Sequence, residues 1–477
     1  MKNIQKTMFR EYDVRGRLSD DELNLESVSA IASAFAVFLN RRGIGKIVVG
    51  YDSRACSESF YGAAISSFTE SGLNVTGIGL ALSPVLYFAQ HHLNINGAMM
   101  ITASHNPDGW SGFKLAYQKS LTLSPEDIQE LYAITVSGEK LTAAKPGSVR
   151  YQSVRDAYID YICNHIHLNP DRKLRVVIDA ANGGAGVYAY ELFQRLGCMT
   201  FQLNCDPDTT FPRYFPNPSI TEAQTLLKKT VLHPYIRADV GLSFDGDGDR
   251  IGVLDENGEN IWADRLMMLI AKPLLQRQPG AKIIYDVKST MALEEYVRAN
   301  GGEPIMWKTG HSYLKRKLRE EGATLAGERS GHLYIGGDLY LGFDDGLFAA
   351  ALILQALSNS GKSISHLLAE FPSYFVSNEI QAPTTDTEKY NIVEFAKSEL
   401  LRLFPNNKYS EVHGFKIWFE DGWGVIRASS NTPELSIVLE AKTPENLRKY
   451  YDIFRSVLDR NSAVEKVWHN DNFSDYT

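Results

Sequence analysis

Apolar runs of strand-like composition recur along this chain, and each is followed by a polar or glycine-rich loop and then by a helical pattern. The first alternation passes through Ile47–Gly50, Phe60–Ser71, Val75–Gly79 and Ala98–Ile101. Strands that alternate with helices predict parallel βαβ units and an α/β fold. Ligands of open α/β sheets bind outside the carboxyl ends of the strands. We therefore expect the functional side chains in the loops that follow these strands.

The alternation occurs three times before the pattern changes. A second series starts at Leu174–Asp179 and a third at Ala281–Asp286, and a polar stretch at Thr142–Ser148 separates the first two. A smaller α+β domain follows Pro372, with these predicted elements: helix Ile392–Leu403, strands Gly414–Phe419, Gly424–Arg427 and Leu435–Ala441, and helix Pro444–Asp459. The predicted domains are residues 1–147, 148–255, 256–372 and 373–477.

Composition narrows the classes of function. A net charge of -8 argues against a nucleic-acid partner, because such a partner requires clustered Lys and Arg. The cysteines, Cys56, Cys163, Cys198 and Cys205, form no C-x-x-C pair and no zinc spacing, which favours a reduced cytoplasmic setting. No apolar segment of a secretory signal follows the amino terminus. The longest apolar stretch, Leu347–Leu357, is too short to span a membrane and predicts a buried helix.

Three aspartates alternate with glycine and follow the apolar run Val240–Phe244: Asp245, Asp247 and Asp249. Closely spaced carboxylates supply the hard oxygen ligands that Mg²⁺ or Ca²⁺ prefers. An EF-hand is disfavoured because Arg250 stands where that loop requires glycine and because the flanking residues are strand-like. An aspartyl phosphatase motif is disfavoured too, since the residue after Gly248 carries no hydroxyl. The segment predicts a divalent-cation site.

Ser104 lies in the loop Thr102–Pro107, which follows the strand Ala98–Ile101. Serine at such a turn is often only a turn former, and no G-x-S-x-G elbow surrounds Ser104. A phosphoserine would instead bring about -1.5 to -2 charges and oxygen ligands for a cation. Like charges ~4 Å apart repel by about 4 kcal/mol at intermediate dielectric, so carboxylates beside that phosphate need a divalent ion. The same ion would withdraw charge during phosphoryl transfer.

Two further loops have compositions that suit a phosphorylated sugar. Gly327–His332 combines a carboxylate, a hydroxyl and an imidazole that can bond sugar hydroxyls, and a plain hydrophilic turn is the alternative. Arg427–Pro433 places a guanidinium among hydroxyl and amide donors, which suits a phosphate dianion. Single residues in or near similar loops are candidates for proton transfer or phosphate contact: Lys114, Lys288 and His311.

Taken together and in order, five segments resemble the α-D-phosphohexomutase superfamily, and most closely its bacterial phosphomannomutase/phosphoglucomutase group. The segments are Phe9–Gly16, Thr102–Pro107, Asp245–Arg250, Gly327–His332 and Arg427–Pro433. The resemblance covers nearly the whole chain. It implies three related α/β domains with mixed sheets and a C-terminal α+β domain of the TATA-binding-protein type, each contributing one loop to a central cleft.

The resemblance also implies roles for individual residues. Ser104 would be the phosphoserine, and its phosphate would hold one Mg²⁺ per chain with Asp245, Asp247 and Asp249. Arg250 would neutralise the transferring group, Lys114 and His311 would move protons, and Glu328 and Ser330 would bind sugar hydroxyls. The remaining substrate contacts would be Tyr12, Arg15, Lys288, Arg427, Ser429, Ser430, Asn431 and Thr432. Gap-free matching puts Ser430 where the family has asparagine, so the choice between Ser430 and Asn431 stays open.

The implied reaction interconverts the 1- and 6-phosphates of mannose, and also of glucose, through a hexose 1,6-bisphosphate that also serves as activator. The rival interpretations are a phosphoglucosamine mutase, a serine-dependent phosphomonoesterase and a non-catalytic sugar-phosphate binder. Small sugar phosphates are the expected partners, with no nucleic acid and no membrane. The chain is expected to be a monomer or a homodimer.

Overall fold

The computed structural model describes residues 4–218, 220–430 and 432–471. Its first segment opens with a 3-10 turn at Lys6–Met8 and continues through β1 Val14–Arg17, α1 Leu25–Asn40, β2 Lys46–Tyr51, α2 Ser57–Glu70, β3 Asn74–Leu80, α3 Ser83–His92, β4 Gly97–Ile101, β5 Trp110–Tyr117, α4 Pro125–Ser137 and β6 Val149–Tyr151. The strands form one sheet in the order β1-β5-β4-β2-β3-β6. The predicted parallel pairing holds for β4, β2 and β3, whereas β5 is antiparallel to β1 and β4.

Local signals explain where these helices begin. Asn24 and Ser27 form a capping box at the start of α1. Ser124 and Asp127 form another at the start of α4, where Pro125 takes the first helical position and its missing N–H costs nothing. The polar stretch 142–148 contains no helix or strand, and the chain then returns to the sheet because β6 pairs with β3. The first sheet thus extends past residue 147.

The second segment contains α5 Arg155–His165, β7 Arg175–Asp179, α6 Ala185–Arg195, β8 Met199–Leu203, α7 Thr221–Val231, β9 Val240–Phe244, β10 Ile251–Leu254 and β11 Asn260–Ile261. Its strands lie in the order β11-β10-β9-β7-β8. The strands β9 and β10 are antiparallel, and Phe244 pairs with Ile251. The aspartate loop is therefore the tip of a hairpin, and the strand-like flanks predicted for it are confirmed.

The third segment contains α8 Ala263–Arg277, β12 Lys282–Asp286, α9 Met291–Ala299, β13 Glu303–Trp307, α10 His311–Glu321, β14 Leu325–Gly327, β15 Leu333–Ile335, α11 Gly346–Ser360 and α12 Ile364–Leu368. β12 and β13 are parallel, and β14 and β15 form an antiparallel hairpin around the predicted sugar loop. The apolar run Leu347–Leu357 lies inside α11, whose side chains are mostly buried as predicted.

The last segment contains β16 Phe375–Val376, β17 Ile380–Pro383, α13 Lys389–Leu403, β18 Tyr409–Ser410, β19 Phe415–Trp418, β20 Gly422–Ala428, β21 Glu434–Ala441 and α14 Pro444–Leu458. The strands form an antiparallel sheet. One face buries Ile417, Ile426 and Ile437 with residues of α13 and α14. The predicted helices and strands of this α+β domain are confirmed within a few residues.

The chain divides into two compact units. One contains residues 1–274 and 311–369, and the other contains residues 275–310 and 370–477. Within the described residues, no helix combines the length and apolarity needed to cross a bilayer. All four cysteines are free thiols.

Candidate active site

Ser104 follows β4 in the first unit and is buried, with a left-handed backbone at φ 49°. Its N–H donates to Thr102 Oγ1 at 2.8 Å, and its Oγ donates to Asp245 Oδ2 at 2.8 Å. The Oγ also lies 3.1 Å from His105 Nδ1. Burial and the nearby Arg250 cation lower the pKa of His105 well below its ordinary value, so this imidazole is neutral. The candidate nucleophile thus lies between a carboxylate and a neutral imidazole.

The hairpin tip places three fully buried carboxylates together, with one oxygen from each within 4.8 Å of the others: Asp245, Asp247 and Asp249. Two glycines permit this crowding. A Cβ on Gly246 would lie 2.5 Å from the carbonyl oxygen of Ser104, and Gly248 has φ 72°. Burial and repulsion from the other two carboxylates raise the pKa of Asp245 to about 7.

Lys114, on β5, donates to Asp247 Oδ2 at 2.7 Å and also to Asp249. Burial opposes its charge, but Asp247 and Asp249 outweigh burial and raise the pKa of Lys114 well above its ordinary value. Asp247 also accepts a hydrogen bond from Ser83 Oγ at 2.6 Å. The other oxygens of Asp247 and Asp249 are buried and have no hydrogen-bond partner among the described residues.

This donor set fits Mg²⁺. Each of Asp247 and Asp249 offers an oxygen that no described protein group satisfies, and Asp245 and Ser104 supply further oxygens beside them. A buried carboxylate oxygen without a hydrogen-bond partner is costly, and a hard divalent cation bound to it removes that cost. The residues that would hold the ion are the three aspartates and Ser104.

Arg250 is the last residue of the hairpin tip, directly before β10. Its Nε donates to Asp245 Oδ2 at 3.0 Å and its N–H donates to Asp245 Oδ1 at 3.2 Å, while Nη2 is buried without a partner among the described residues. A guanidinium with an unused buried donor beside the Ser104 hydroxyl is suited to a phosphoryl oxygen.

His332, whose imidazole was predicted only as a partner of sugar hydroxyls, and Asp344, to which the sequence assigned no role, both lie in this site. His332 Nδ1 lies 3.1 Å from Asp344 Oδ2 and 3.6 Å from Asp249 Oδ1. Lys315 Nζ lies 3.3 Å from Asp344 Oδ1 and 4.0 Å from the centre of the Tyr87 ring. His332 stood inside the predicted sugar loop, but no local pattern marks Asp344 or Lys315.

The charges of His332, Asp344 and Lys315 stabilise one another. Burial opposes both ionised forms, but Asp249 and Glu328 raise the pKa of His332, and Lys315 and His332 lower the pKa of Asp344 to about 2. Buried carboxylates beside His332 thus favour its protonated form. A protonated imidazole can act as a general acid.

The sugar loop is a tight turn between β14 and β15, in which Gly331 N–H donates to Glu328 O at 3.0 Å. Glu328 is buried and accepts from the Tyr334 hydroxyl at 2.8 Å, and Ser330 is half-buried. Arg329 instead packs 4.5 Å from the centre of the Trp262 ring and 3.8 Å from Asp264.

Three other predicted residues lie in the same unit. The Tyr12 ring meets the His311 ring edge-on at 4.7 Å between centroids. Burial and the cations Lys315 and Lys114 lower the pKa of His311 well below its ordinary value. Arg15 donates to Asp13 at 2.8 Å and to Asn106 Oδ1 at 2.6 Å, so it supports the serine loop.

The predicted phosphate-binding residues lie in the second unit. Lys288 donates to Glu379 Oε2 at 2.7 Å, and Arg427 Nη2 lies 3.8 Å from Glu379 Oε1. Burial opposes ionisation of Glu379, but Lys288 and Arg427 lower its pKa to about 2. Glu379, which the sequence analysis did not identify, thus holds two cations together in one place.

The loop after β20 has internal hydrogen bonds. Ser429 Oγ lies 2.7 Å from Thr432 Oγ1, and Lys389 donates to the carbonyl oxygens of Ser429 at 2.7 Å and Thr432 at 3.3 Å. Ser430 is half-buried in the same loop. Asn431 lies outside the described residues.

Comparison with known proteins identifies the family. Family models described as "Phosphoglucomutase/phosphomannomutase, alpha/beta/alpha domain" I, II and III match residues 6–142, 156–258 and 262–375. A Pseudomonas putida protein named phosphomannomutase/phosphoglucomutase is 37% identical over 458 residues, covering 96% of each chain. A Neisseria meningitidis phosphoglucomutase is 36% identical over 472 residues, covering 98% of this chain and all of its own.

A solved structure extends the agreement to the whole fold. The phosphoglucomutase/phosphomannomutase family protein of Burkholderia thailandensis is 34% identical, with a TM-score of 0.89 over 97% of this chain and 100% of its own. The fold is therefore three α/β domains with mixed sheets followed by a fourth domain of one sheet and helices. From these matches and from the site described above, the chain belongs to the phosphoglucomutase/phosphomannomutase family.

Proposed function

We propose that this chain interconverts hexose 1-phosphate and hexose 6-phosphate, with mannose and glucose as the sugars, through a phosphoserine at Ser104 and a hexose 1,6-bisphosphate. The observation that carries the proposal is the hydrogen bond from Ser104 Oγ to Asp245, inside a cluster of three buried carboxylates. The relatives named phosphomannomutase/phosphoglucomutase support the same reaction class.

In the first half-reaction the phosphoryl group leaves Ser104 and joins a hydroxyl oxygen of the bound hexose monophosphate. The P–O bond to Ser104 breaks and the bond to the sugar oxygen forms. The sugar hydroxyl proton passes to a protein base, and the departing Ser104 Oγ takes up a proton, which returns it to the hydroxyl that donates to Asp245. Arg250 offers its unpaired guanidinium donor to the charge that develops on the phosphoryl oxygens. A Mg²⁺ ion held by Asp245, Asp247, Asp249 and Ser104 would withdraw further charge from the phosphoryl group.

The second half-reaction returns the other phosphoryl group of the bisphosphate to Ser104 and releases the isomerised monophosphate. Protons must move in opposite directions in the two halves, so an acid and base pair is required. His332, held by Asp344, is the group best placed by its contacts, and Lys114 and His311 complete the proposed set. Glu328, Ser330, Tyr12 and Arg15 are the proposed contacts of the sugar, and the bisphosphate is also the proposed activator.

The phosphate that is not reacting is proposed to bind the cations of the second unit. Lys288 and Arg427 are held by a shared carboxylate, Glu379, and both carry donors that suit a dianion. The loop residues Ser429, Ser430, Asn431 and Thr432 are the proposed hydroxyl and amide donors. The predicted domain boundaries after residues 147 and 255 would separate β6 and β11 from the sheets in which they pair, so the proposed boundaries move to residues 151 and 261, and the third stays after residue 372. A monomeric or dimeric state and a cytoplasmic location complete the proposal.

The test is incubation with mannose 1-phosphate, Mg²⁺ and a trace of glucose 1,6-bisphosphate. The expected product is mannose 6-phosphate without stoichiometric release of inorganic phosphate. Release of inorganic phosphate would show that the protein is a phosphomonoesterase. Binding of mannose 1-phosphate without conversion would show that it is a non-catalytic sugar-phosphate binder. Parallel assays with glucose and glucosamine 1-phosphates measure sugar preference, and a strong preference for glucosamine 1-phosphate would contradict the proposal.

The nucleophile is tested by Ser104→Ala, which should abolish turnover and also remove a single phosphoryl group detected by intact-mass spectrometry. Ser59→Ala, which removes an exposed hydroxyl of the same domain, is the matched control and should behave like the wild-type protein. Full turnover by Ser104→Ala would show that another residue carries the phosphoryl group.

A further inference from the structure

Arg54, in the loop after β2, uses its whole guanidinium on the backbone of the Ser104 loop and on one carboxylate. Its Nη2 donates to the carbonyl oxygens of Ser104 at 2.9 Å and Asn106 at 2.6 Å. Its Nη1 donates to those of Pro107 at 2.9 Å and Trp110 at 3.2 Å. Four carbonyl groups, three from the loop between β4 and β5 and one from the first residue of β5, therefore converge on a single buried cation.

Asp52 fixes the orientation of that cation. Arg54 Nε donates to Asp52 Oδ2 at 3.2 Å, and Asp52 Oδ1 accepts from Arg54 N–H at 3.1 Å and from Ser57 Oγ at 2.6 Å. The Phe211 ring centre lies 5.1 Å from the guanidinium carbon. A guanidinium has five N–H donors in a rigid fork, and the Arg54 contacts account for all five.

The loop held by Arg54 is strained at the candidate nucleophile. Ser104 has φ 49°, a conformation that L-residues other than glycine rarely adopt unless their surroundings impose it. Its carbonyl oxygen receives the Arg54 donor and faces Gly246, where there is no room for a side chain. The position of Ser104 Oγ beside Asp245 depends on this backbone conformation.

We infer that Arg54 is a positioning residue for phosphoryl transfer, which fixes the phosphoserine loop so that the phosphoryl group passes to a sugar hydroxyl and not to water. The inference rests on the proposed function. Arg15 also reaches this loop, but its backbone contact there is a single 3.4 Å approach to the Ala103 carbonyl oxygen. Arg54 instead donates to four main-chain carbonyl oxygens, those of Ser104, Asn106, Pro107 and Trp110.

Loss of the Arg54 contacts should lower the rate of phosphoryl transfer more than it lowers sugar affinity. A displacement of about 1 Å at a reacting centre can lower a rate by about 10²-fold. The sugar contacts proposed above lie outside the Ser104 loop, although Arg15, on β1, donates to Asn106 of that loop. A displaced Ser104 loop should therefore change sugar affinity less than it changes transfer. A displaced phosphoserine would also meet water more often than a correctly placed sugar hydroxyl.

The test compares Arg54→Lys with the wild-type chain and with Arg172→Lys. Lysine keeps the charge beside Asp52 but offers three donors from one point and no planar fork. Arg172 is the matched control, because its guanidinium donates to the carbonyl oxygens of Leu357 and Lys362, away from the serine loop. Each protein is phosphorylated with glucose 1,6-bisphosphate, and intact mass gives the fraction that carries phosphoserine.

Two rates are then measured per phosphorylated site: transfer to glucose 6-phosphate in a single turnover, and loss of phosphate to water without sugar. We expect Arg54→Lys to slow transfer by about 10- to 100-fold with KM changed less than about threefold. We also expect the ratio of hydrolysis to transfer to rise at least about tenfold, since a misplaced donor loses its advantage over water. Arg172→Lys should leave both rates within about twofold of the wild-type values.

Three results would overturn the inference. They are unchanged transfer by Arg54→Lys, an equal loss in Arg172→Lys, and a loss explained wholly by a lower folded fraction with a normal rate per phosphorylated site. If Arg54→Lys does not fold, Asp52→Asn is the second variant. It retains the bonds from Arg54 to the carbonyl oxygens and should raise the ratio of hydrolysis to transfer to a smaller extent. A wild-type chain that accepts no phosphoryl group would refute the proposed function itself, a result distinct from all of these.

Discussion

Ser104 Oγ and Asp245 Oδ2 lie 2.8 Å apart although 141 positions separate them in the chain. The two residues follow different strands, β4 and β9, of different sheets. Their contact places the candidate phosphoryl carrier directly against the candidate metal ligands.

Asp247→Asn should weaken metal binding, because it replaces a buried carboxylate that has an unpartnered oxygen by a neutral amide. In the wild-type protein, Mg²⁺ should raise the unfolding temperature by ~2 °C or more, since ligands that bind only the folded state stabilise it. The variant should show little of this shift. Thermal unfolding with and without Mg²⁺ measures the effect.

Asp255→Asn is the control for that experiment, because Asp255 is a buried carboxylate that accepts backbone hydrogen bonds in a turn outside the cluster. Its Mg²⁺ shift should equal that of the wild-type protein. Equal shifts in both variants would show that the ion binds elsewhere.

His332→Gln should lower kcat by about 10²- to 10⁴-fold, the usual contribution of a general acid or base. The amide can still reach Asp344, which lies 3.1 Å from the imidazole, so the fold should persist. KM should change little, since the loss concerns proton transfer. Steady-state kinetics with mannose 1-phosphate gives both constants.

His92→Gln provides the comparison, because His92 is an exposed imidazole of α3 that stacks on Phe88. It should retain wild-type kinetics. A value of kcat for His332→Gln within threefold of wild type would exclude a role for His332 in proton transfer.

Glu379 should make stability depend on pH in acid. Its pKa in the folded protein is about 2, below the ordinary 4.5, because of Lys288 and Arg427. The folded state binds fewer protons than the unfolded state between these values, so this contribution is present above about pH 4.5 and is lost as the pH falls towards 2. The carboxylate is 35% exposed, so solvent screening reduces its contribution to about 1 kcal/mol.

Glu379→Gln should therefore lower the free energy of unfolding by about 1 kcal/mol at pH 7 and by less at pH 3. Urea unfolding at the two pH values measures the difference. Glu411→Gln, which removes a surface partner of Lys397, is the control and should have a smaller effect at either pH. A loss for Glu379→Gln that is independent of pH would contradict the assigned ion pairs.

Asp345→Ala should destabilise the first unit by about 3–5 kcal/mol, because it removes a helix cap and leaves buried hydroxyls unpaired. Asp345 caps α11 through the N–H groups of Leu347 and Phe348, and it also accepts from the hydroxyls of Tyr158 and Tyr340. Chemical denaturation with fluorescence detection measures the loss.

Ser124→Ala removes a helix cap alone, and so separates the contribution of capping from that of the tyrosine hydrogen bonds. Ser124 caps α4 through a bond to the Asp127 N–H, so its loss should cost about 1 kcal/mol. Equal losses in the two variants would show that the tyrosine contacts of Asp345 add nothing.

The sequence predicted the local elements of the fold well, because strand composition and helix periodicity are local properties. The buried helix at Leu347–Leu357 and the strand-like flanks of the aspartate loop are examples. The pairing of β5 was not predicted from the alternation, which indicated parallel units only. Strand order depends on which distant segments pair, and the periodicity of a single segment does not determine its pairing partner.

Candidate site residues with a distinctive local pattern were predicted from the sequence, whereas residues without such a pattern were not. Asp245, Asp247 and Asp249 stand out because carboxylates alternate with glycine. Arg54 and Asp344 stand in ordinary polar segments, and their importance arises from contacts with residues far away in the chain. The roles assigned to Ser104 and to the phosphate loop remain predictions until the proposed assays are done.

The three aspartates occupy the tip of one hairpin, whereas the serine hydroxyl arrives from another domain on its own loop. Three of the four proposed metal ligands thus come from one short stretch of sequence, and the fourth comes from the loop of the proposed phosphoryl carrier. Substitutions confined to the hairpin tip can therefore vary the cation's carboxylates without changing a residue of the serine loop.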